Sequence, residues 1–140
     1  MFGIIIATHG ELAWGLVDAV KLIMGEFSHI EIAALKEDKD INEYGDELVE
    51  KIKNVDSGKG VLVFTDIFGA SPNNQAALKK VELSCVNYKI ISGVNLPMLL
   101  EAIGLSLTSD SIEDTWQRLV QTGKESIKEF ETELNKIEKE

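Results

Sequence analysis

His9 is the residue whose position in the chain most directly suggests chemistry. It follows the apolar run Gly3–Thr8 (GIIIAT) and precedes Gly10, after which a helical pattern begins. The imidazole is thus expected at the carboxyl end of a buried strand, the edge at which ligands bind in open parallel sheets. A lone histidine there is more often a structural residue than a catalytic one, so its neighbours decide which interpretation holds.

The neighbours of His9 favour a chemical role. Gly10 removes a side chain next to the imidazole and allows the backbone to turn sharply. The helix that follows would direct its free N–H groups to the same edge, where they suit a bound anion. Asp66, at the end of a later strand, could accept a hydrogen bond from one imidazole nitrogen and leave the other as a nucleophile. Asp66 could equally be a helix cap or a turn residue, and the sequence does not indicate which nitrogen would react.

A second candidate anion site follows Asp66 in the turn Gly69-Ala70-Ser71-Pro72. Ser71 is predicted to be the N-cap of a helix whose first residue is Pro72. The small residues Gly69 and Ala70 would leave backbone N–H groups accessible, as a bound anion requires. The turn is therefore either a helix start alone or also a phosphate cradle.

Apolar runs and helical patterns alternate along the chain. Strands are predicted at Gly3–Thr8, Ile30–Leu35, Gly60–Thr65 and Tyr88–Gly93. The intervening helices are marked by Gly25 as a stop, Asp40 as an N-cap and Ser71 as a start, with the third helix continuing to Val81. This alternation predicts a single domain over residues 1–140, an α/β fold with a doubly wound, mainly parallel sheet of about four strands flanked by helices. If the first, third and fourth strands are neighbours, the loops that follow them share one edge.

The chain after Pro97 is predicted to be mostly helical. A short helix is expected at Met98–Ile103, and Ser111 with Asp114 matches the start signal of another helix. Residues 125–140 are predicted to form a charged helical extension with a thin apolar stripe. This extension is either a solvated terminal helix or one that binds a partner or forms a dimer.

Composition restricts the classes of function. The chain has 140 residues, with 24 acidic and 14 basic side chains and a net charge of −10. Such an acidic surface argues against binding to nucleic acid or to anionic membranes. The single cysteine, Cys85, excludes an intrachain disulfide framework and gives no zinc pattern. Because no apolar run could span a membrane and no basic leader is recognisable, we expect a cytoplasmic protein.

Motifs of several phosphate-handling enzymes are missing. Neither a P-loop motif nor GxGxxG occurs, which disfavours nucleotide hydrolysis and dinucleotide binding. His9 and Asp66 are too few ligands for a metal, and no cofactor is expected. A histidine phosphatase of the phosphoglycerate-mutase type has arginine before its histidine and around the phosphate, whereas this chain has Thr8 there and a single arginine, Arg118, in its tail. A phosphoryl group would therefore be held by backbone dipoles and hydroxyls, which suits a transient carrier.

Residues 2 to 125 resemble the IIA component of the mannose type (mannose, fructose, sorbose) of the bacterial phosphoenolpyruvate-dependent sugar phosphotransferase system (PTS). The resemblance is carried by IIIATHG, GVLVFTDIFGASPNNQA, ISGVNLPMLLEAI and the weaker QTGKESIK. It implies a phosphotransferase in which His9 accepts a phosphoryl group from the histidine phosphocarrier protein and passes it to a histidine of the IIB component. It further implies that Asp66 orients the imidazole, that Ser71 contacts the phosphate, and that the membrane components IIC and IID are indirect partners.

Some residues depart from the family pattern. Ala70 replaces the second glycine of the turn, and Glu11 places a carboxylate next to the start of the first helix, so we expect it to point away from this edge. Known members exchange a C-terminal strand between subunits, whereas the tail here is predicted to be helical, so a homodimer is expected through another surface. The alternatives are a phosphoryl relay for a dihydroxyacetone kinase and a noncatalytic regulatory module. The sequence does not indicate the sugar.

Overall fold

Four parallel strands form the centre of the structure, a computed structural model that describes residues 1–108 and 111–139. The elements in chain order are β1 (Gly3–His9), α1 (Leu12–Met24), β2 (Ile30–Leu35), α2 (Ile41–Val55), β3 (Val61–Thr65), α3 (Ser71–Leu78), β4 (Tyr88–Ser92), α4 (Leu96–Leu107), α5 (Ile112–Glu125) and α6 (Phe130–Lys139). The strand order is β2-β1-β3-β4, and every neighbouring pair is parallel. The predicted doubly wound α/β fold is confirmed.

The two central strands are buried on both faces. All residues of β3 are buried, and in β1 only His9 is exposed. Because side chains alternate along a strand, Ile4 and Ile6 pack in one apolar cluster while Ile5 and Ala7 pack in the other. Helices α1, α4 and α5 contribute to the first cluster and α2 and α3 to the second. Burial on both faces explains the unbroken aliphatic runs in the sequence.

The register places the carboxyl ends of three strands side by side. Ala7 of β1 lies opposite Thr65 of β3, and Thr65 lies opposite Ser92 of β4. The loops that follow these strands therefore share one edge of the sheet, as predicted. On the other side of β1, His9 lies opposite Leu35, the last residue of β2.

Helix α3 differs in two ways from its prediction. Its N-cap is Ala70, whose carbonyl accepts from the Asn74 N–H at 2.9 Å, and no side chain caps the helix. Ser71 is therefore the first helical residue rather than the cap, because the extended backbone that precedes the helix ends one residue earlier. The helix also ends at Leu78, since residues 79–85 form turns instead of continuing it to Val81.

Other helix ends follow the sequence signals. Asp40 accepts from the N–H groups of Asn42 and Glu43 at 2.9 and 3.0 Å, and Ser111 accepts from Glu113 N–H at 3.1 Å. Helix α4 is longer than the predicted Met98–Ile103, because Asn95 caps it from two residues before Pro97.

The tail is mostly helical, as predicted, but it forms two helices, because the chain between Glu125 and Phe130 is not helical. Helix α5 packs on α4, β3 and β4, with Ile112 and Leu119 buried. No residue of α6 is buried, and its apolar side chains Phe130, Leu134 and Ile137 are exposed. No helix of the described ranges combines the length and apolar composition that a membrane span requires.

Candidate functional site

His9 and Asp66 meet at the carboxyl edge of the sheet. His9 ends β1 and Asp66 directly follows β3, so their proximity results from the pairing of these two strands. One oxygen of Asp66, Oδ2, accepts the backbone N–H of His9 at 2.9 Å and lies 2.8 Å from its ring nitrogen Nδ1. The other, Oδ1, accepts from Ile67 N–H at 3.0 Å. The carboxylate thus holds both the backbone and the ring of His9.

This contact assigns different roles to the two ring nitrogens of His9. An ionised carboxylate can only accept a hydrogen bond, so Nδ1 carries the proton. In the neutral ring Nε2 then has a free lone pair. The side chain of His9 is 46% exposed, whereas that of Asp66 is 11% exposed. The arrangement therefore presents an oriented, accessible nucleophile beside a largely covered carboxylate.

Hydrogen bonds from His9 keep Asp66 ionised. Burial acts to raise the pKa of the Asp66 carboxyl, but the hydrogen bonds from the backbone and ring of His9, and the charge of the protonated ring, outweigh it. The resulting pKa of Asp66 lies below its ordinary value. The carboxylate is consequently available at neutral pH to support positive charge on the imidazole.

Gly10 and Thr8 set the geometry on either side of His9. Gly10 has a φ of +56°, which glycine adopts readily, and its N–H donates to the Leu35 carbonyl at 2.9 Å. Gly10 therefore supplies the turn, while its own N–H is already used. The buried Thr8 hydroxyl accepts from Ala13 N–H at 3.0 Å and satisfies a donor in the first turn of α1. Sequence reasoning missed this role of Thr8, although a hydroxyl just before a helix start was a usable signal.

The turn before α3 presents backbone donors at the same edge. Gly69 has a φ of +83°, and its carbonyl accepts from Asn74 Nδ2 at 2.8 Å. Ala70 N–H donates to Ile67 carbonyl at 3.3 Å. Within residues 1–108 and 111–139, no acceptor of normal geometry is found for the N–H groups of Gly69 and Ser71 or for the Ser71 hydroxyl. These groups are thus free to bind an anion.

The loop after β4 fixes the backbone around Asp66. Gly93 N–H donates to the Asp66 carbonyl at 3.2 Å, and Val94 N–H donates to the Thr65 carbonyl at 3.0 Å. The Thr65 hydroxyl donates to Asn73 Oδ1 at 3.2 Å, which links β3 to the first turn of α3. The carboxylate that holds His9 is therefore carried by a segment whose backbone is hydrogen-bonded to the loop after β4 and to α3.

Glu11 lies beside the end of β2, in the turn that follows β1. Its carboxylate forms an ion pair with Lys36, the residue that follows β2. Because β2 and β3 flank β1 on opposite sides, this pair lies on the side of β1 away from Asp66. Sequence reasoning did not single out Lys36, which begins the charged run Lys36–Asp40 (KEDKD).

The edge around His9 is open. Apolar side chains on both flanking loops are exposed: Leu12 and Trp14 at the start of α1, and Ile67 and Phe68 after β3. One cavity, of about 400 Å³, lies at the opposite edge of the sheet, near Lys59, Cys85 and Asn87. In the described part of the chain, no three His, Cys, Asp or Glu residues gather as metal ligands would.

Comparisons with known proteins agree on one family. Residues 3–120 match the family model described as PTS system fructose IIA component. The mannose-specific EIIAB component of the PTS of Escherichia coli strain K12 is 31% identical over 129 residues, covering 89% of this chain and 38% of that protein. This chain therefore spans less than half the length of the EIIAB relatives that it matches.

Relatives of similar length also match. The fructose-specific EIIA component of the PTS of Bacillus subtilis strain 168 is 30% identical over 105 residues, covering 75% of this chain and 70% of that protein. The crystal structure of the phosphotransferase system component EIIA from Streptococcus agalactiae superimposes with a TM-score of 0.86 at 27% identity, covering 94% of this chain and 99% of that one. The parallel sheet described above is thus the fold of a solved EIIA protein.

Proposed function

Because the chain belongs to the family of PTS fructose IIA components, we propose that it carries a phosphoryl group on His9 within a sugar phosphotransferase system. His9 accepts the group from the histidine phosphocarrier protein and passes it to a histidine of the cognate IIB component. The observation that carries this proposal is the 2.8 Å contact between Nδ1 of His9 and Oδ2 of Asp66, which leaves Nε2 to react.

The transfer follows from the roles of the two nitrogens. Nε2 of neutral His9 attacks the phosphorus of the donor's phosphohistidine in line, as the donor's own N–P bond breaks and its electron pair returns to the donor ring. His9 keeps its proton on Nδ1, so its ring gains positive charge as the new N–P bond forms. The Asp66 carboxylate stabilises that charge through the existing hydrogen bond. The reverse sequence of bond changes delivers the group to IIB.

Backbone donors stabilise the transferring phosphoryl group. Negative charge spreads over its three equatorial oxygens in the loose transition state. The N–H groups at the starts of α1 and α3 and the hydroxyl of Ser71 are the donors we assign to these oxygens. Gly10 and Gly69 have no side chain and Ala70 has only a methyl group, so these residues leave the backbone donors accessible to the phosphoryl oxygens. The donor already contains a high-energy N–P bond, so the proposal includes no metal or cofactor.

The surroundings of His9 suit a protein donor. Phe68 is 83% exposed and stands in the loop that carries Asp66. Exposed aromatic side chains commonly anchor protein interfaces. The net charge of −10 would attract partners with basic docking faces and speed their encounter. A cytoplasmic location, indirect coupling to IIC and IID and a homodimer remain predictions that accompany this role.

The test is phosphorylation from phosphoenolpyruvate in the presence of the general first enzyme and the phosphocarrier protein. We expect wild-type protein to take up one acid-labile phosphoryl group and His9→Ala to take up none. His29→Ala removes the other histidine of the chain and should label like wild type. Stoichiometric labelling of His9→Ala would overturn the proposal, and absence of labelling in wild type would favour a noncatalytic module. Transfer to a dihydroxyacetone kinase in place of IIB would identify the alternative relay.

A further inference from the structure

We propose that Lys36 is a positioning residue for this phosphoryl transfer, because it holds the Glu11 carboxylate away from the backbone donors at the start of α1. The inference rests on the proposed function of His9. It concerns the ion pair between Glu11 and Lys36, neither of which belongs to the motifs that carry the family resemblance.

The backbone places Glu11 and Lys36 side by side. Gly10 N–H donates to the Leu35 carbonyl at 2.9 Å, and His9 and Leu35 are register partners in the sheet. Lys36 directly follows Leu35, and Glu11 directly follows Gly10, which is hydrogen-bonded to Leu35, so the two residues are close at the carboxyl edge. The pairing of β1 with β2 together with the turn at Gly10 therefore allows their ion pair.

Glu11 occupies the N-cap position of α1 but does not cap the helix. An Asp, Asn, Ser or Thr side chain there normally accepts from the N–H groups of the second or third helical residue, and a carboxylate near a helix start interacts favourably with the helix dipole. In this chain Glu11 makes no such bond, and the Thr8 hydroxyl accepts from Ala13 instead. No acceptor of normal geometry is found for Trp14 N–H, on the third helical residue, among the described residues. An unrestrained Glu11 would therefore have a donor to bind in the first turn of α1.

That donor belongs to the set we assign to the phosphoryl group. A Glu11 carboxylate bound there would act as an internal competing anion, and it would also repel the phosphoryl charge. The Cα atoms of His9 and Glu11 are at most about 7 Å apart, so a Glu11 carboxylate turned towards His9 could come within one Debye length of the phosphoryl group, about 10 Å at 0.1 M salt. The Glu11 and Lys36 side chains are 74% and 49% exposed, so burial does not fix their positions. The ion pair is the contact that restrains Glu11.

The decisive measurement is the equilibrium for phosphoryl transfer between the phosphocarrier protein and this chain. In Lys36→Gln we expect the equilibrium constant for His9 phosphorylation to fall about three- to tenfold, as one uncompensated charge at this distance would cause. The double variant Glu11→Gln with Lys36→Gln should return to within about twofold of wild type, because the competing charge is gone. Lys36→Arg should also retain wild-type behaviour. The deficit of Lys36→Gln should shrink at high salt.

A matched control separates this effect from a general change in charge. Lys39 lies in the same turn as Lys36 but pairs with Glu47 of α2 at 3.2 Å instead of with Glu11, and Lys39→Gln should leave the equilibrium unchanged. Circular dichroism and thermal melting establish that each variant folds. A Lys36→Gln deficit that removal of Glu11 does not rescue would overturn the inference, since Lys36 would then act directly on the phosphate or the partner.

The two proposals can fail separately. Labelling of His9→Ala would overturn the carrier function, and this inference with it. If His9→Ala is unlabelled while Lys36→Gln equilibrates like wild type, the carrier function stands and only the role of Lys36 is refuted.

Discussion

Asp66 holds His9 through a single oxygen, which lies 2.9 Å from the His9 backbone nitrogen and 2.8 Å from Nδ1 of its ring. The backbone bond fixes where the histidine leaves the strand, and the ring bond fixes which nitrogen is left free. A carboxylate in this place can therefore be tested for two separate effects, one on the rate of phosphoryl transfer and one on stability.

Asp66→Asn should slow phosphorylation of His9 about tenfold to a hundredfold while the protein remains folded. The amide oxygen can still accept a hydrogen bond, but a neutral group stabilises the developing positive charge on the ring less well. Rapid-quench measurement of phosphoryl transfer from the phosphocarrier protein provides the rate. Asp56→Asn is the matched control, because Asp56 follows α2 at the opposite edge of the sheet. An Asp66→Asn rate equal to wild type would remove Asp66 from the mechanism.

The acid stability of the protein should depend on Asp66. Its pKa is lowered in the folded state, so its stabilising contribution is complete above the unfolded-state value of about 4. The contribution is lost as the pH falls below that value towards the lowered native pKa. Urea unfolding at pH 6 and pH 3 should show a smaller loss of unfolding free energy for Asp66→Asn than for wild type. Equal losses would show that the pKa of Asp66 is not lowered by folding.

Ser71→Ala should slow phosphoryl transfer several-fold with little change in stability. Ala70, not Ser71, is the N-cap of α3, so loss of the hydroxyl should remove the proposed phosphate contact but no helix cap. Ser111→Ala is the control, because the Ser111 hydroxyl does cap α5. This variant should lose about 1 kcal/mol in unfolding free energy and keep the wild-type transfer rate. If Ser71→Ala instead costs stability and leaves transfer intact, the hydroxyl is structural.

Phe68→Ala should weaken docking of the phosphoryl donor. The side chain is 83% exposed beside the segment that carries Asp66, so its removal should raise the donor concentration needed for half-maximal rate and leave the maximal rate nearly unchanged. Val81→Ala, also at an exposed apolar position but in the turns after α3, is the control and should behave like wild type. A fall in the maximal rate alone would indicate that Phe68 affects the reacting groups rather than the encounter.

Local signals predicted most of the elements and the candidate residues. The strands follow from aliphatic runs, and the caps at Asp40 and Ser111 follow from side chains that reach N–H groups two or three residues away. His9 and Asp66 stood out because each follows a predicted buried strand. Each of these signals depends only on residues that are close together in the chain, so it can be recognised in the sequence.

The tertiary structure decided what depends on strand register. His9 and Asp66 are 57 residues apart, and only the pairing of β1 with β3 brings Oδ2 to Nδ1 and selects Nε2 as the free nitrogen. The pairing of β1 with β2 likewise brings Lys36 to Glu11. The sequence alone determined which groups were available for phosphoryl transfer. Only the register of the sheet determined which atoms meet, because distances between side chains on different strands are set by long-range backbone pairing and not by local pattern.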